Sequence, residues 1–191
     1  PAISYFDANN SALKYVRATN TNGTAWGTPV IVDSSADVGY YSSLAVVNGN
    51  PAISYYDLTN GDLKYVRATD ASGTAWGTPQ TIDSTDDVGG YLSLVVVNGN
   101  PAISYQDFTN DDIKYVRAAN STGTLWGPRI IATSAGGTYT SMAVVNGNPA
   151  ISYYDGASEN LKYVRATDAN GTAWDTPDTL DSTGDVGSHA S

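Results

Sequence analysis

The sequence contains no cysteine, so disulfide bonds and thiolate metal sites are both excluded. It has a single histidine, His189, which leaves little material for Ser-His-Asp chemistry or a histidine-ligated metal. Positive charge is scarce: nine Lys and Arg stand against nineteen Asp and Glu, giving a formal net charge of −10. This excess of acid repels nucleic acid and anionic membranes, so neither is expected as a partner. No apolar run approaches the roughly 20 residues of a membrane helix, so we expect no membrane insertion.

A repeat of about fifty residues organises the 191-residue chain. The string "VVNGNPAISYYD" begins at Val46 and returns, unchanged or with one substitution, from Val96 and Val144. The repeats are residues 1–50, 51–100, 101–148 and 149–191, and the last one is truncated. We expect them to form a single domain.

Each repeat carries signals for four short antiparallel strands, which we name A to D. Strand A is Ser43–Val47 at the end of the first repeat, and the Asn-Gly pair that follows is typical of a type I′ hairpin. Strands B and C, Ala52–Asp57 and Leu63–Thr69, alternate the residues of two faces, and Thr78–Asp83 predicts strand D. No segment of useful length shows a helical period.

These features predict an all-β fold, a β-propeller built from four-stranded antiparallel blades of about fifty residues. The first repeat begins at strand B, so the first blade lacks its inner strand. Three explanations are open: a longer parent chain supplies the strand, a neighbouring molecule supplies it, or the blade has three strands. We expect either a longer parent chain with more blades or a homo-oligomeric ring completed by a second copy.

The loops between strands C and D resemble a known sequence element. "ATDASGTAWG" (Ala68–Gly77) and "ATDANGTAWD" (Ala166–Asp175) look like relaxed Asp-boxes, the Ser-x-Asp-x-Gly-x-Thr-Trp loops of sialidase-like propellers. The resemblance implies that the tryptophans are blade-packing anchors without a catalytic role. They are Trp26, Trp76, Trp126 and Trp174. The whole chain also resembles the highly repetitive propellers of bacterial proteins, some of them lectins, which implies a secreted or cell-surface location.

Repetition argues against catalysis, because an enzyme needs unlike groups that converge at one place. The arginines Arg17, Arg67, Arg117 and Arg165 occupy one equivalent position of strand C and do not form the cluster that sialidase-type catalysis requires. We therefore predict that the protein is not an enzyme.

Repetition favours binding, since the B–C and D–A loops of every blade emerge on one face and bring carboxylates beside aromatic rings. Carboxylates accept hydrogen bonds from sugar hydroxyls, and rings cover the apolar face of a sugar. The candidate ligand-binding residues are Phe6, Asp7, Asp37, Tyr40, Tyr56, Asp57, Asp87, Tyr91, Asp107, Tyr154, Asp155 and Asp185. The simpler explanation for each Asp is a turn cap or an ion pair with Lys or Arg.

The third repeat departs from this pattern, because Thr133–Ser141 has no carboxylate and Gln106 replaces the aromatic residue. Three blades at most would then carry equivalent sites. The predicted function is a non-catalytic, multivalent, lectin-like module whose partners are glycans or surface polysaccharide. The alternative is a structural or adhesive surface protein whose repeats assemble by strand sharing.

Calcium is the one metal that the sequence suggests. Asp57–Asp62 and Asp83–Gly89 supply hard oxygen ligands, which suit Ca²⁺. Neither segment matches a defined calcium loop such as the EF-hand, and solvated acidic turns explain both more simply. We expect no cofactor, with calcium as the alternative.

Overall fold

A computed structural model describes residues 1–134 and 136–191 and has the predicted all-β propeller architecture. The first sheet is β1 (Ala2–Asp7), β2 (Ala12–Arg17) and β3 (Val30–Asp33). The second is β4 (Val38–Val47), β5 (Asn50–Asp57), β6 (Asp62–Arg67) and β7 (Gln80–Asp83). The third is β8 (Val88–Val97), β9 (Asn100–Asp107), β10 (Asp112–Ala118) and β11 (Trp126–Thr133). The fourth is β12 (Thr138–Val145), β13 (Asn148–Asp155), β14 (Asn160–Arg165) and β15 (Asp178–Asp181).

Each sheet is one blade, and its strands pair with their neighbours in the chain. The predicted hairpin turn lies at Asn48 and Gly49, whose φ angles of 45° and 83° are the positive values that a type I′ turn requires. The inner strand is longer than predicted: β4 begins at Val38, and its register with β5 shifts on either side of Tyr40. The extra residues are bulged and carry glycines, so a search for regular alternation misses them.

The blades pack in sequence order, with β1 against β4, β4 against β8, and β8 against β12. Separate apolar clusters lie between successive blades and bury strand residues such as Ile53, Tyr65 and Ile103. No helix among the described residues has the length and apolar character needed to cross a membrane.

Trp76, Trp126 and Trp174 pack at the blade interfaces as predicted, whereas Trp26 of the first blade has no preceding blade to contact and is 42% exposed. Trp76 packs edge-to-face on Tyr15 of the preceding blade with ring centroids 5.1 Å apart, and Trp126 does the same on Tyr65. The indole nitrogen of Trp76 donates to the carbonyl oxygen of Gly73 at 3.0 Å. The loop thus fixes the indole, and the indole contacts the neighbouring blade.

A buried polar network also joins the blades. The Tyr105 hydroxyl of the third blade donates to Asp83 Oδ2 of the second at 2.8 Å. Lys114 Nζ lies 2.6 Å from Asp107 Oδ2 and 3.9 Å from Asp83 Oδ2. Tyr55 and Lys64 hold Asp33 of the first blade in the same way, at 2.6 Å and 3.1 Å.

We expect this network to make the fold sensitive to acid. Burial raises the pKa of Asp107, but hydrogen bonds from Lys114 and Asn110 outweigh it, so the net pKa is lowered. A lowered folded-state pKa stabilises the protein above the unfolded-state pKa of about 3.9, and this stability is lost as the pH falls through the folded value. Asp33 and Asp155 act with the same sign.

Urea denaturation at several pH values measures this effect as the free energy of unfolding. Stability should fall steeply below about pH 4, and the fall should be shallower in Asp107→Asn. Asp178→Asn, at an exposed position of β15, is the matched control and should keep the original slope. A free energy of unfolding that stays constant down to about pH 2.5 would contradict the expectation.

Candidate functional site

Aromatic side chains converge at the end of the blades where the B–C and D–A loops lie. Seven rings form one connected network, which we call the aromatic face: Tyr41, Tyr56, Tyr91, Phe108, Tyr139, Tyr154 and His189. Phe6 and Tyr40 form a separate pair in the first two blades, with ring centroids 4.0 Å apart. The predicted aromatic candidates therefore all lie in this network or in this pair.

The centre of the aromatic face is a ladder of rings that contact one another at tilted angles. Centroid distances are 4.5 Å from Tyr41 to Tyr91, 4.5 Å from Tyr91 to Tyr139, and 4.0 Å from Tyr139 to His189. Burial raises the pKa of Tyr91, and the neighbouring Tyr41 hydroxyl raises it further. The three tyrosines come from three successive blades, and His189 comes from the segment after the last blade. The ladder therefore forms only when the blades pack together.

The backbone at the ladder is strained. Tyr41, Tyr91, Tyr139 and His189 have positive φ angles of 51°, 44°, 54° and 60°. In residues with a bulky Cβ, such angles cost on the order of 1–3 kcal/mol each and are concentrated at functional sites. The same local strain recurs in every copy of the bulge, which points to a role for the ladder beyond packing.

Carboxylates border the aromatic face. The Tyr56 hydroxyl donates to Asp87 Oδ1 at 2.6 Å, and the Tyr154 hydroxyl donates to Asp185 Oδ1 at 2.8 Å. The Tyr40 hydroxyl lies 3.4 Å from Asp37 Oδ2. The hydrogen bond to Asp185 raises the pKa of Tyr154 to about 12, and burial together with Asp87 raises that of Tyr56 further. Both tyrosines therefore stay neutral donors at ordinary pH.

The other four predicted carboxylates lie at B–C turns, where amides and lysines of the chain itself already bind them. Asp57 is 1% exposed and accepts hydrogen bonds from the Thr59 and Asn60 backbone amides and from the Asn60 side chain. Asp107 and Asp155 cap their turns in the same way, and each pairs with a lysine. Hydrogen bonds from Lys14 and then Asn10 lower the pKa of Asp7 to about 2. The structure thus assigns these four carboxylates to turns and ion pairs and does not present them to a ligand.

All nine basic side chains have partners other than the residues of the aromatic face. The four lysines pair with the turn aspartates. Arg67 donates to the Val47 and Asn48 carbonyl oxygens at the opposite end of its blade, and Arg117 and Arg165 bind the equivalent turns. Arg17 donates to Ala71, and Arg129 lies 3.9 Å from Asp83. Among the described residues no Lys or Arg pairs with Asp37, Asp87 or Asp185, so no basic side chain compensates the carboxylates that border the aromatic face.

The arrangement gives calcium no obvious site. Among the described residues, no three His, Asp or Glu side chains come close enough together to hold a metal ion. The oxygens of Asp57 and Asp83, from the two predicted calcium segments, already bind backbone amides and lysines.

The sequence interpretation missed several members of this face. Tyr139 and His189 align with Tyr41 and Tyr91 in the strings "AGGTY", "DVGSH", "DVGYY" and "DVGGY", so the repeat alignment held the signal. Phe108 was missed because it is not repeated: the equivalent residues are Ala8, Leu58 and Gly156. Its ring takes the space beside Gly90 that a Cβ would need.

No protein-family model and no curated protein sequence matches the chain. Solved structures do resemble it. The Hadza microbial sialidase Hz136 has a TM-score of 0.65 at 16% identity, over 88% of this chain and 40% of its own. The exo-β-1,3-galactanase of Phanerochaete chrysosporium has a TM-score of 0.61 at 11% identity, over 93% and 46%. The α-L-arabinofuranosidase of Lactobacillus brevis has a TM-score of 0.58 at 14% identity, over 92% and 69%.

The chain spans only part of the structures that it resembles, for example 36% of a PL25 ulvan lyase and 24% of the NanB sialidase of Streptococcus pneumoniae. At these identities the likeness establishes the propeller fold, of the kind found in sialidases and glycoside hydrolases. The neighbours are enzymes, and this contradicts both the prediction of a non-catalytic module and its structural or adhesive alternative. Four-fold repetition is therefore a poor argument against catalysis in this fold.

Proposed function

We propose that the chain is part of a carbohydrate-active enzyme that hydrolyses a glycan without negative charge, bound at the aromatic face. The observation that carries this proposal is the ladder of Tyr41, Tyr91 and Tyr139, bordered by carboxylates and free of basic side chains among the described residues. The enzyme neighbours, a galactanase and an arabinofuranosidase among them, support the substrate class. Such a substrate places the protein outside the cell or on its surface.

The carboxylates beside the ladder are the groups that glycoside hydrolysis would use. The reaction needs two carboxyl groups beside the scissile bond, one that donates a proton and one that acts as base or nucleophile. Asp37 and Asp87 occupy equivalent positions in neighbouring blades, and Asp87 is exposed with its orientation fixed by Tyr56. We assign the catalytic carboxylates to this pair, and the exposed ring of Tyr41 to contact with the sugar face.

Charge selects against anionic glycans. The net charge of −10 and the acidic border of the aromatic face repel uronates and sialic acids, which need basic residues for recognition. The proposed site in this sialidase-like fold is therefore acidic, whereas a site for sialic acid would have to be basic. Residues 1–191 act as one repeat domain in this proposal, because each blade buries its apolar face on the next.

Release of reducing ends from a panel of polysaccharides tests the proposed function. We expect cleavage of an uncharged galactan or arabinan and none of ulvan. Asp87→Asn should lower the rate by at least about tenfold, since the reaction loses a carboxylate. Asp178→Asn, an equal charge change at an exposed site on β15, should leave the rate unchanged. Absence of cleavage across the panel, or a fully active Asp87→Asn variant, would refute the proposal.

A further inference from the structure

The third blade has an unusual polar corner at the aromatic face. Gln106 stands where the second and fourth blades have Tyr56 and Tyr154, and its side chain is 5% exposed. Its amide nitrogen donates to Asp111 Oδ1 at 3.4 Å, while its Oε1 is buried without a partner among the described residues. Buried acceptors are almost always hydrogen-bonded, so this oxygen is prepared for a donor from outside the chain.

The surroundings of Gln106 connect this corner to the ladder. Gln106 pairs across the strands with Gly90, and the Phe108 ring occupies the space where a Cβ of Gly90 would stand. The Phe108 ring lies 6.2 Å from that of Tyr91, which contacts the Tyr139 ring. A free carbonyl oxygen and a carboxylate thus adjoin aromatic rings.

A protonated amine is the ligand that fits this set of groups. A protonated amine donates hydrogen bonds to carbonyl and carboxylate oxygens, and the faces of aromatic rings attract its charge. A neutral hydroxyl would satisfy Gln106 but would gain little from the surrounding carboxylates. Asp86 and Asp111 are both exposed and add negative charge to the loops around this corner.

No basic side chain of the described chain competes for these acceptors. The nine Lys and Arg residues are all bound at the turn aspartates, at the opposite blade ends, or near Asp83. Asp86 and Asp111 at this corner of the third blade therefore have no basic partner within the described chain.

We propose that the glycan bound at the aromatic face carries protonated primary amines, and that one amine binds between Gln106 Oε1 and the Asp111 carboxylate beside Tyr91. The glycan part of this assignment rests on the proposed function, whereas the amine part rests on the third-blade corner alone. Polymers of an amino sugar such as glucosamine are the substrate class that combines both properties.

Isothermal titration with oligosaccharides of equal length tests the proposal. At about pH 6, where the amine is largely protonated, a glucosamine oligomer should bind at least about tenfold more tightly than its N-acetylated form or a glucose oligomer. Raising the ionic strength from about 0.02 M to about 0.5 M should weaken the amine oligomer most. The wild-type comparison requires no variant and is unaffected by folding defects.

Variants locate the amine. Asp111→Asn and Gln106→Met should each reduce the preference for the amine oligomer by about fivefold or more, with Asp178→Asn as the control that keeps it. Equal affinity for the three oligomers, or a preference that survives both variants, would overturn the proposal. Spermidine supplies amines without a sugar: tighter binding of spermidine than of the oligomer would overturn the assignment to an amino sugar.

The outcomes separate this inference from the proposed function. If neutral glycans are cleaved and the amine oligomer does not bind more tightly, the amine site is disproved and the hydrolytic function stands. If the amine oligomer binds more tightly and this preference requires Asp111, but no glycan is cleaved, the hydrolytic function is disproved and the amine site stands.

Discussion

Replacing Lys114 by methionine should lower the free energy of unfolding by about 3 kcal/mol or more. The Lys114 ammonium lies 2.6 Å from Asp107, with Asp83 of the neighbouring blade at 3.9 Å. The side chains of Lys114, Asp83 and Asp107 are 12%, 3% and 0% exposed. Its removal leaves the buried Asp107 carboxylate without its counter-charge, and such a loss costs much more than the net value of the ion pair itself.

Lys14→Met in the first blade is the matched control. Lys14 pairs with Asp7 alone, and the two side chains are more exposed, at 21% and 14%. We expect a much smaller loss, because water replaces the missing charge. Urea denaturation of both variants gives the two free energies, and a double variant with Asp83→Asn apportions the loss. Equal small effects at Lys114 and Lys14 would show that the network contributes little to blade packing.

Replacing Gly123 by alanine should also destabilise the protein strongly, by about 3 kcal/mol. A Cβ at this position would lie 2.6 Å from Cε1 and 2.8 Å from the hydroxyl oxygen of Tyr65, in the preceding blade. Tyr65 is fully buried and packs on Trp126, so its ring cannot move aside cheaply. The φ angle of +72° adds the cost of a left-handed conformation.

Gly99→Ala separates the two contributions. Gly99 has a φ of +78°, but no atom lies within 4 Å of the position that its Cβ would take. We expect a loss of about 1 kcal/mol from backbone strain alone. The difference between the midpoints of thermal or urea unfolding then measures the contact between blades. If both variants lose the same stability, the close approach of Gly123 to Tyr65 does not constrain the interface.

The local elements could be read from the sequence because their causes are local. The Asn-Gly turns need positive φ angles, and alternation within "AISYYD" and "LKYVRAT" defines the two faces of strands B and C. The period of about fifty residues then indicated four-stranded blades with an incomplete first blade, and the structure has three four-stranded sheets after a first sheet of three strands.

The carboxylates predicted for the candidate site fall into two groups in the structure. Asp37, Asp87 and Asp185 lie beside tyrosines at the loop-rich end, where the loop positions placed them. Asp57, Asp107 and Asp155 look equivalent in the sequence but are buried by turn amides and lysines. A strand pattern does not show which carboxylates a lysine reaches across a sheet, so the sequence could not separate the two groups.

The sequence by itself determined the strands, their turns and the blade repeat, because each depends on residues that are close along the chain. Only the tertiary structure decided which groups meet between blades: the Asp83–Tyr105–Lys114 network, the Tyr41–Tyr91–Tyr139 ladder and the unpaired Gln106 oxygen. These contacts join residues about 20 to 50 positions apart, and their geometry follows from the packing of one sheet on the next. The charge of the aromatic face depends on the same packing, since it is set by where the lysines and arginines are held.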